Sequence, residues 1–180
     1  NTGLLTVTTD GAPQSHLLEI RSNSADQGGG IYNAAGGQLW LANSAAPALT
    51  ADPRGLIDNQ ARQGGGLYNA GGQVEAVNFD FNLNNAAEQG GGIYNAAGGM
   101  AILNGNRIFE NNAEAGNAQG GGLLNAGTAY LDLGNRLYDN NSNGDGGAIA
   151  NTGVISMWNP LIYNNTTDSD GAGLYDAGAV

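Results

Sequence analysis

The chain has 180 residues, of which 32 are glycine, and its mass of only 18.1 kDa reflects many small side chains. Five arginines, no lysine and 16 carboxylates give a net charge of −11, which argues against a nucleic-acid partner. The absence of cysteine excludes disulfides and thiolate metal sites, while 41% hydrophobic residues predict a packed core. No apolar run approaches the roughly 20 residues that span a bilayer, so we expect no membrane insertion.

A six-residue motif divides the chain into repeats. It begins at residues 28, 64, 90, 120, 146 and 171 and reads GGGIYN, GGGLYN, GGGIYN, GGGLLN, GGAIAN and GAGLYD. The segment 1–27 precedes the first motif and is interpreted as an atypical first coil. Recurrence of one short unit is typical of solenoids, so the sequence predicts a single β-solenoid domain over 1–180.

Each repeat contains three short segments that we predict to be strands. The motif supplies the first, and after a small turn an apolar stretch such as Leu39-Trp40-Leu41 supplies the second. The third ends on asparagine, as in Phe109-Glu110-Asn111-Asn112. Because glycine or asparagine bounds every segment, the pattern favours strands over helices. It predicts an all-β parallel β-helix of about six coils with three strands each.

Stacking of the coils predicts three columns of equivalent residues. An aliphatic column should face the core: Ile31, Leu67, Ile93, Leu123, Ile149 and Leu174. An asparagine column should form a hydrogen-bonded ladder: Asn33, Asn69, Asn95, Asn125 and Asn151. A tyrosine column should face outward: Tyr32, Tyr68, Tyr94 and Tyr175. Such an outward row could stack on sugar rings, pack against a neighbouring rod or cover its own turns.

The glycine-rich motif is paired with a downstream F-x-x-N pattern. GGAI stands at 146–149 and F-x-x-N at Phe81 to Asn84 and Phe109 to Asn112, with conservative versions at 20–23 and 138–141. This pairing resembles the repeats of chlamydial polymorphic outer-membrane proteins and of autotransporter and adhesin passenger domains. The resemblance implies a right-handed parallel β-helix, in agreement with the general crossover rule, and a secreted or cell-surface location.

Side chains that could support catalysis are few. Arg107 and Arg136 share one column and Glu110 and Asp139 another, and we interpret both columns as a surface charge ladder with pairing between coils. The only histidine, His16, stands in the atypical first coil and is expected to be an incidental turn residue. The sequence therefore predicts no catalytic residues and no cofactor.

Two short segments alternate oxygen-bearing side chains ahead of glycine, as calcium loops do. One is NSNGDG at 141–146, with Asp145, and the other is DSDG at 168–171, with Asp168 and Asp170. Neither continues to a bidentate glutamate. We therefore prefer Asx turns as the interpretation and keep calcium as the alternative.

Neither end of the sequence shows a recognisable capping helix or polar coil, and both ends fall on the asparagine column. Uncovered ends present unpaired strand edges, which is expected of a passenger-domain fragment or of a homo-oligomer joined through its ends. The predicted function is that of a non-enzymatic extracellular structural or adhesive protein, assembling head to tail into a filament or surface layer. The alternative is a β-helix that binds or cleaves carbohydrate with the tyrosine column and Glu75, Glu110 or Asp139.

Overall fold

The computed structural model describes residues 3–8, 18–43 and 54–178. In these residues the chain forms 24 short strands and no helix. Four consecutive strands make one rung, and equivalent strands of successive rungs pair in parallel to give four six-stranded sheets. The predicted all-β parallel solenoid is confirmed. Within the described ranges there is accordingly no helix that could cross a membrane.

The strands are numbered in chain order and belong to sheets A, B, C and D in rotation. Sheet A contains β1 (Leu4–Thr8), β5 (Gln38–Ala42), β9 (Gln73–Val77), β13 (Met100–Asn104), β17 (Thr128–Leu131) and β21 (Val154–Met157). Sheet B contains β2 (Glu19–Arg21), β6 (Gly55–Ile57), β10 (Asp80–Asn82), β14 (Arg107–Phe109), β18 (Arg136–Tyr138) and β22 (Leu161–Tyr163). Sheet C contains β3 (Ser24–Gln27), β7 (Gln60–Gln63), β11 (Asn85–Gln89), β15 (Asn112–Ala113), β19 (Asn141–Ser142) and β23 (Thr166–Thr167). Sheet D contains β4 (Ile31–Asn33), β8 (Leu67–Asn69), β12 (Ile93–Asn95), β16 (Leu123–Asn125), β20 (Ile149–Asn151) and β24 (Leu174–Asp176).

The structure corrects the predicted number of strands and of turns. Each rung has four strands rather than the predicted three. The prediction lacked the strands of sheet C because they contain no apolar run. Their inward positions hold small residues such as Ala86 and Ala113, both fully buried, which a search for hydrophobic stretches overlooks. Six strands per sheet span five steps, so the chain winds about five times rather than six. The right-handed sense stays a prediction.

The F-x-x-N pattern was assigned in the wrong register for two of its repeats. Phe81 pairs with Ile108 across β10 and β14, not with Phe109. The assignments at 109–112 and 138–141 are therefore one residue too late. A shift of one residue exchanges the two faces of a strand, so Phe109 lies on the outer face of sheet B, whereas Phe81 points into the core.

The interior of the solenoid is filled by residues that stack in columns. The predicted aliphatic column is paired residue by residue in sheet D, and Ile93, Leu123 and Ile149 in its middle are fully buried. Phe79 and Phe81 widen the core at one level, where their rings meet edge to face with centroids 5.6 Å apart. Each rung buries its apolar residues only against the rungs on either side of it.

The glycine triplets are required where sheet C turns into sheet D. Gly64 has φ +63, a conformation that favours glycine. A Cβ on the next residue, Gly65, would overlap the carbonyl oxygens of Asn85 and Gly91 in the following rung. The triplet is therefore explained by close packing of successive rungs and needs no ligand.

Candidate functional site

The predicted asparagine column forms a continuous ladder at the corner between sheets D and A. Each amide Nδ2 donates to the Oδ1 of the next rung, with distances of 2.7 or 2.8 Å from Asn33 through Asn151. The last acceptor is not an asparagine but the carboxylate of Asp176. The ladder is thus directional, with donors pointing towards β24 in every rung.

A second ladder, which the sequence analysis did not identify, lies at the corner between sheets B and C. Its Nδ2–Oδ1 distances are 2.9–3.1 Å, and in every member except the last the backbone N–H donates to the same Oδ1 as the Nδ2. Its members are Asn23, Asn59, Asn84, Asn111, Asn140 and Asn165. Correct alignment of the F-x-x-N pattern would have found it, because every member is the asparagine of that pattern.

The tyrosine column lies on the outer side of sheet D. Tyr32 and Tyr68 stack with centroids 5.5 Å apart, and Tyr94 meets Tyr68 edge to face at 5.0 Å. Only Tyr32 is largely exposed, and partial burial raises the pKa of the Tyr68 and Tyr94 hydroxyls. Tyr175 is separated from this group by two rungs. The rings therefore contact one another, as expected of a row that covers its own turns.

A second aromatic row runs along the outer side of sheet B. Phe109, Tyr138 and Tyr163 stack almost parallel, with centroids 4.8 and 5.0 Å apart. The guanidinium of Arg107 lies 5.4 Å from the centre of the Phe109 ring. The row is not evident from the F-x-x-N pattern, because the shifted alignment places Phe109 and Tyr138 in the column of Phe81.

The interpretation of Arg107 as part of a surface charge ladder is wrong. Its side chain is buried and forms a bidentate pair with the buried carboxylate of Asp80, at 2.7 and 2.8 Å. Hydrogen bonding to Asp80 raises the pKa of Arg107. Among the described residues Arg136 forms no ion pair, and Glu110 instead accepts a hydrogen bond from Asn82. The arginine column and the acidic column are therefore both present, but no ion pair joins one column to the other among the described residues.

The calcium candidates are joined by hydrogen bonds between two neighbouring rungs. The carboxylate of Asp145 accepts from Ser169 Oγ at 2.7 Å, from Gln119 Nε2 at 3.2 Å and from the backbone N–H of Asp170. These donors hold the pKa of Asp145 below its ordinary value, the Ser169 bond most strongly. Asp168 and Asp170 are exposed. Across the described part of the chain, no three acidic, histidine or cysteine residues are grouped as a metal site would need.

The carboxylates of the alternative carbohydrate site are spread around the rung. Glu75 lies in β9 of sheet A, while Glu110 and Asp139 lie at the corner after sheet B, both with φ 55. The tyrosine column belongs to sheet D, so no single strand or corner carries the whole set. His16 lies outside the described residues.

The first and last rungs expose residues whose equivalents elsewhere are buried. In the described chain, β1–β4 and β21–β24 each have a paired rung on one side only. Leu5 is 53% exposed, whereas its register equivalent Val74 is fully buried. Leu174 is 37% exposed in the same column as Ile149, which is fully buried. In the described chain, both of these edge rungs therefore expose apolar side chains of the inward columns.

Comparison of the chain with known proteins found no matching family model, no matching curated protein and no matching solved structure.

Proposed function

We propose that this protein is a non-enzymatic structural or adhesive β-solenoid that associates end to end, with the last rung of one copy pairing with the first rung of the next. The observation that carries the proposal is the exposure of inward columns at both end rungs, as at Leu5 and Leu174. Burying such apolar surface is the main favourable contribution to association. A second copy supplies matching strands.

The two end rungs match each other column by column. If the last rung of one copy stacks against the first rung of the next copy, Ile155 contacts Leu5 and Met157 contacts Val7. These residues hold the same positions in β21 and β1. In the second ladder, Asn165 Nδ2 would exchange its bond to the Tyr163 carbonyl for one to Asn23 Oδ1, which accepts no hydrogen bond from the described residues. This bond would have the same form as the one that Asn140 makes to Asn165 within the chain. The proposed contact therefore repeats an interface that this chain forms internally between every pair of rungs.

The proposed location is outside the cell, either secreted or on the cell surface. Its support is the resemblance of the repeats to those of surface passenger domains. Protease treatment of intact cells that make the protein tests this proposal. Loss of the protein from intact cells is expected, whereas protection until lysis would contradict it.

Sedimentation velocity over a wide concentration range, with negative-stain images of the same samples, tests end-to-end association. The expected result is unbranched rods that lengthen with concentration. A Leu5→Lys variant places a charge on the first rung and should leave single rods. The matched control is Leu83→Lys, because Leu83 has nearly the same exposure, 51%, but lies at an interior corner.

Two outcomes would contradict the proposal. One is a single rod of constant length at every concentration, which would favour a solenoid that acts alone or as part of a longer passenger domain. The other is equal loss of association in both lysine variants, which would indicate lateral contact instead of contact through the ends. A repeat of the measurement with a chelator tests the calcium alternative, since only calcium-dependent rods would disappear.

A further inference from the structure

The first of the chain's two tryptophans lies in a cleft on the outer face of sheet A. Trp40 pairs in register with Glu75 across β5 and β9, and Gln38 pairs with Gln73 in the neighbouring outward column. These four side chains line a cleft of about 210 Å³ near the first rung. Trp40 is 37% exposed, so part of its indole surface is open to solvent.

The second tryptophan occupies a cleft with the same set of chemical groups. Asn104, Asp132 and Trp158 are equivalent residues of three successive rungs, because each follows an inward residue of the same column. Together with Leu133 they line a cleft of about 330 Å³. Trp158 is 69% exposed and Leu133 is 62% exposed. Carboxylate and indole again lie on adjacent rungs, about 4.8 Å apart along the axis.

The polar groups of both clefts have no partners among the described residues. The carboxylates of Glu75 and Asp132 accept no hydrogen bond and pair with no cation there, and the amides of Gln38, Gln73 and Asn104 are equally unengaged. By contrast, the asparagines of the two ladders have their donors and acceptors used between rungs. The corner amides are therefore occupied between rungs, whereas the side-chain groups of the clefts are open to solvent and available to a ligand.

We propose that the two clefts bind neutral glycan, with each indole stacking on the apolar face of a sugar ring and the adjacent carboxylate and amide hydrogen-bonding its hydroxyls. A sugar ring presents C–H groups on one face and hydroxyls at its edge, so it fits an aromatic surface bordered by polar groups. An amide both donates and accepts, which suits a hydroxyl, whereas a carboxylate accepts two hydroxyl hydrogens at once.

Charge restricts the class of glycan. The chain carries a net charge of −11 and each cleft contains an unpaired carboxylate, so uronic-acid or sulfated polymers would be repelled. Trp40 lies in the second rung and Trp158 follows the last strand of sheet A, four steps further on. Four steps correspond to about 19 Å, so a polymer can occupy both clefts while a disaccharide can occupy only one.

Intrinsic fluorescence reports on both clefts, because the chain has no other tryptophan. The full chain is titrated with dextran, a soluble β-1,3-glucan, galactomannan and hydroxyethyl cellulose, and its retention is measured in native gels cast with the same polymers. We expect at least one polymer to shift the fluorescence and retard the chain. Trp158→Ala and Trp40→Ala should each weaken retention about tenfold, and the double variant should abolish it.

The matched control is Tyr163→Ala, which removes a partly exposed aromatic ring from sheet B, outside both clefts and outside the tyrosine column, and should leave retention unchanged. Circular dichroism verifies that each variant is folded, and because Trp158 is the more exposed tryptophan its variant decides the result if Trp40→Ala does not fold. Absence of any response across the four polymers, or retention that persists in the double variant, would overturn the proposal.

A cationic ligand is the main competing explanation, because a carboxylate beside an indole also suits an ammonium group. Tetramethylammonium chloride is therefore titrated in parallel. Asp132→Asn and Glu75→Gln keep a hydrogen-bonding group and should preserve most glycan retention. Quenching by tetramethylammonium but by none of the polymers, lost in these two variants, would assign the clefts to cations and reject the glycan.

Discussion

The interior rungs and the end rungs use the same columns of residues but surround them differently. In sheet B, Asp80 and Arg107 form an ion pair that is almost fully buried between two rungs. In the first rung of the same sheet, Glu19 and Arg21 also pair, at 3.2 Å, but the arginine is 57% exposed. The contribution of a residue to the stability of this solenoid therefore depends on the rung in which it lies as much as on its type.

We expect the largest loss of stability when the buried ion pair is broken. Asp80→Asn leaves the Arg107 charge without its carboxylate in a buried position, and we expect a loss of about 3–5 kcal/mol in the free energy of unfolding. Urea denaturation followed by circular dichroism measures it. Glu19→Gln removes the equivalent partner in the first rung and should cost less than about 1 kcal/mol. Equal losses would show that the two rungs do not differ in the way proposed.

The next effect compares two members of the aliphatic column. Leu123→Ala creates a cavity at a fully buried position and should cost about 2–5 kcal/mol. Leu174→Ala makes the same chemical change at a partly exposed position in the last rung, so roughly 1 kcal/mol is expected. The same denaturation experiment applies. A larger loss for Leu174→Ala would mean that its exposed side chain is covered in solution, which itself would indicate association through that end.

A smaller effect concerns the second ladder. Asn111 accepts from Asn84 and donates to Asn140 at 3.0 Å, so Asn111→Ala leaves buried donors unsatisfied and should cost about 1–3 kcal/mol. Asn165→Ala removes the last member, which accepts from Asn140 and donates to the Leu137 and Tyr163 carbonyls. Because Asn165 is only partly buried, water can replace part of these bonds, and a smaller loss of about 1 kcal/mol is expected. Hydrogen exchange at the Asn84 and Asn140 amides locates each effect. Faster exchange throughout the chain in both variants would contradict a local role.

Much of the solenoid could be predicted because the glycine motif aligns the repeats from Gly28 onwards. The last three columns of that motif, from Ile31 to Asn33, are predicted in their correct register for this reason. The strands of sheet C are not predicted, because their inward positions hold alanine and serine, which give no hydrophobic signal. Apolar runs alone therefore cannot reveal a strand whose buried side chains are small.

The side chains of the candidate sites were harder to predict because they depend on pairs that do not repeat. Asp80 pairs with Arg107 across β10 and β14, but because the repeats differ in length this pairing is evident only from the strand register. The same is true of Trp40 beside Glu75. A column of identical residues is visible in a sequence, whereas a pair of unlike residues in adjacent rungs is visible only once the rungs are stacked.

The smallest predicted effect concerns Asp176, which ends the first ladder, and its influence on end-to-end association. Asp176 accepts from Asn151 Nδ2 and from the backbone N–H of Gly178, and these bonds hold the pKa of its carboxyl below the ordinary 3.8. At neutral pH it therefore has no hydrogen to donate to the Asn33 Oδ1 of a second copy. Asp176→Asn supplies that donor, and we expect end-to-end association to strengthen about tenfold at pH 7, as measured by sedimentation.

Two controls separate the ladder from general charge. Asp170→Asn removes the same charge from an exposed position in the last rung that is outside the ladder, and it should change association little. In the unchanged chain, protonation of Asp176 should raise association only as the pH falls through its lowered pKa. The sign for stability is opposite, because a lowered pKa stabilises the fold above 3.8 and that contribution is lost on acidification. Rods that lengthen while the fold weakens would identify Asp176 as the residue that limits the ladder, whereas equal strengthening by Asp170→Asn would attribute the effect to repulsion between acidic ends.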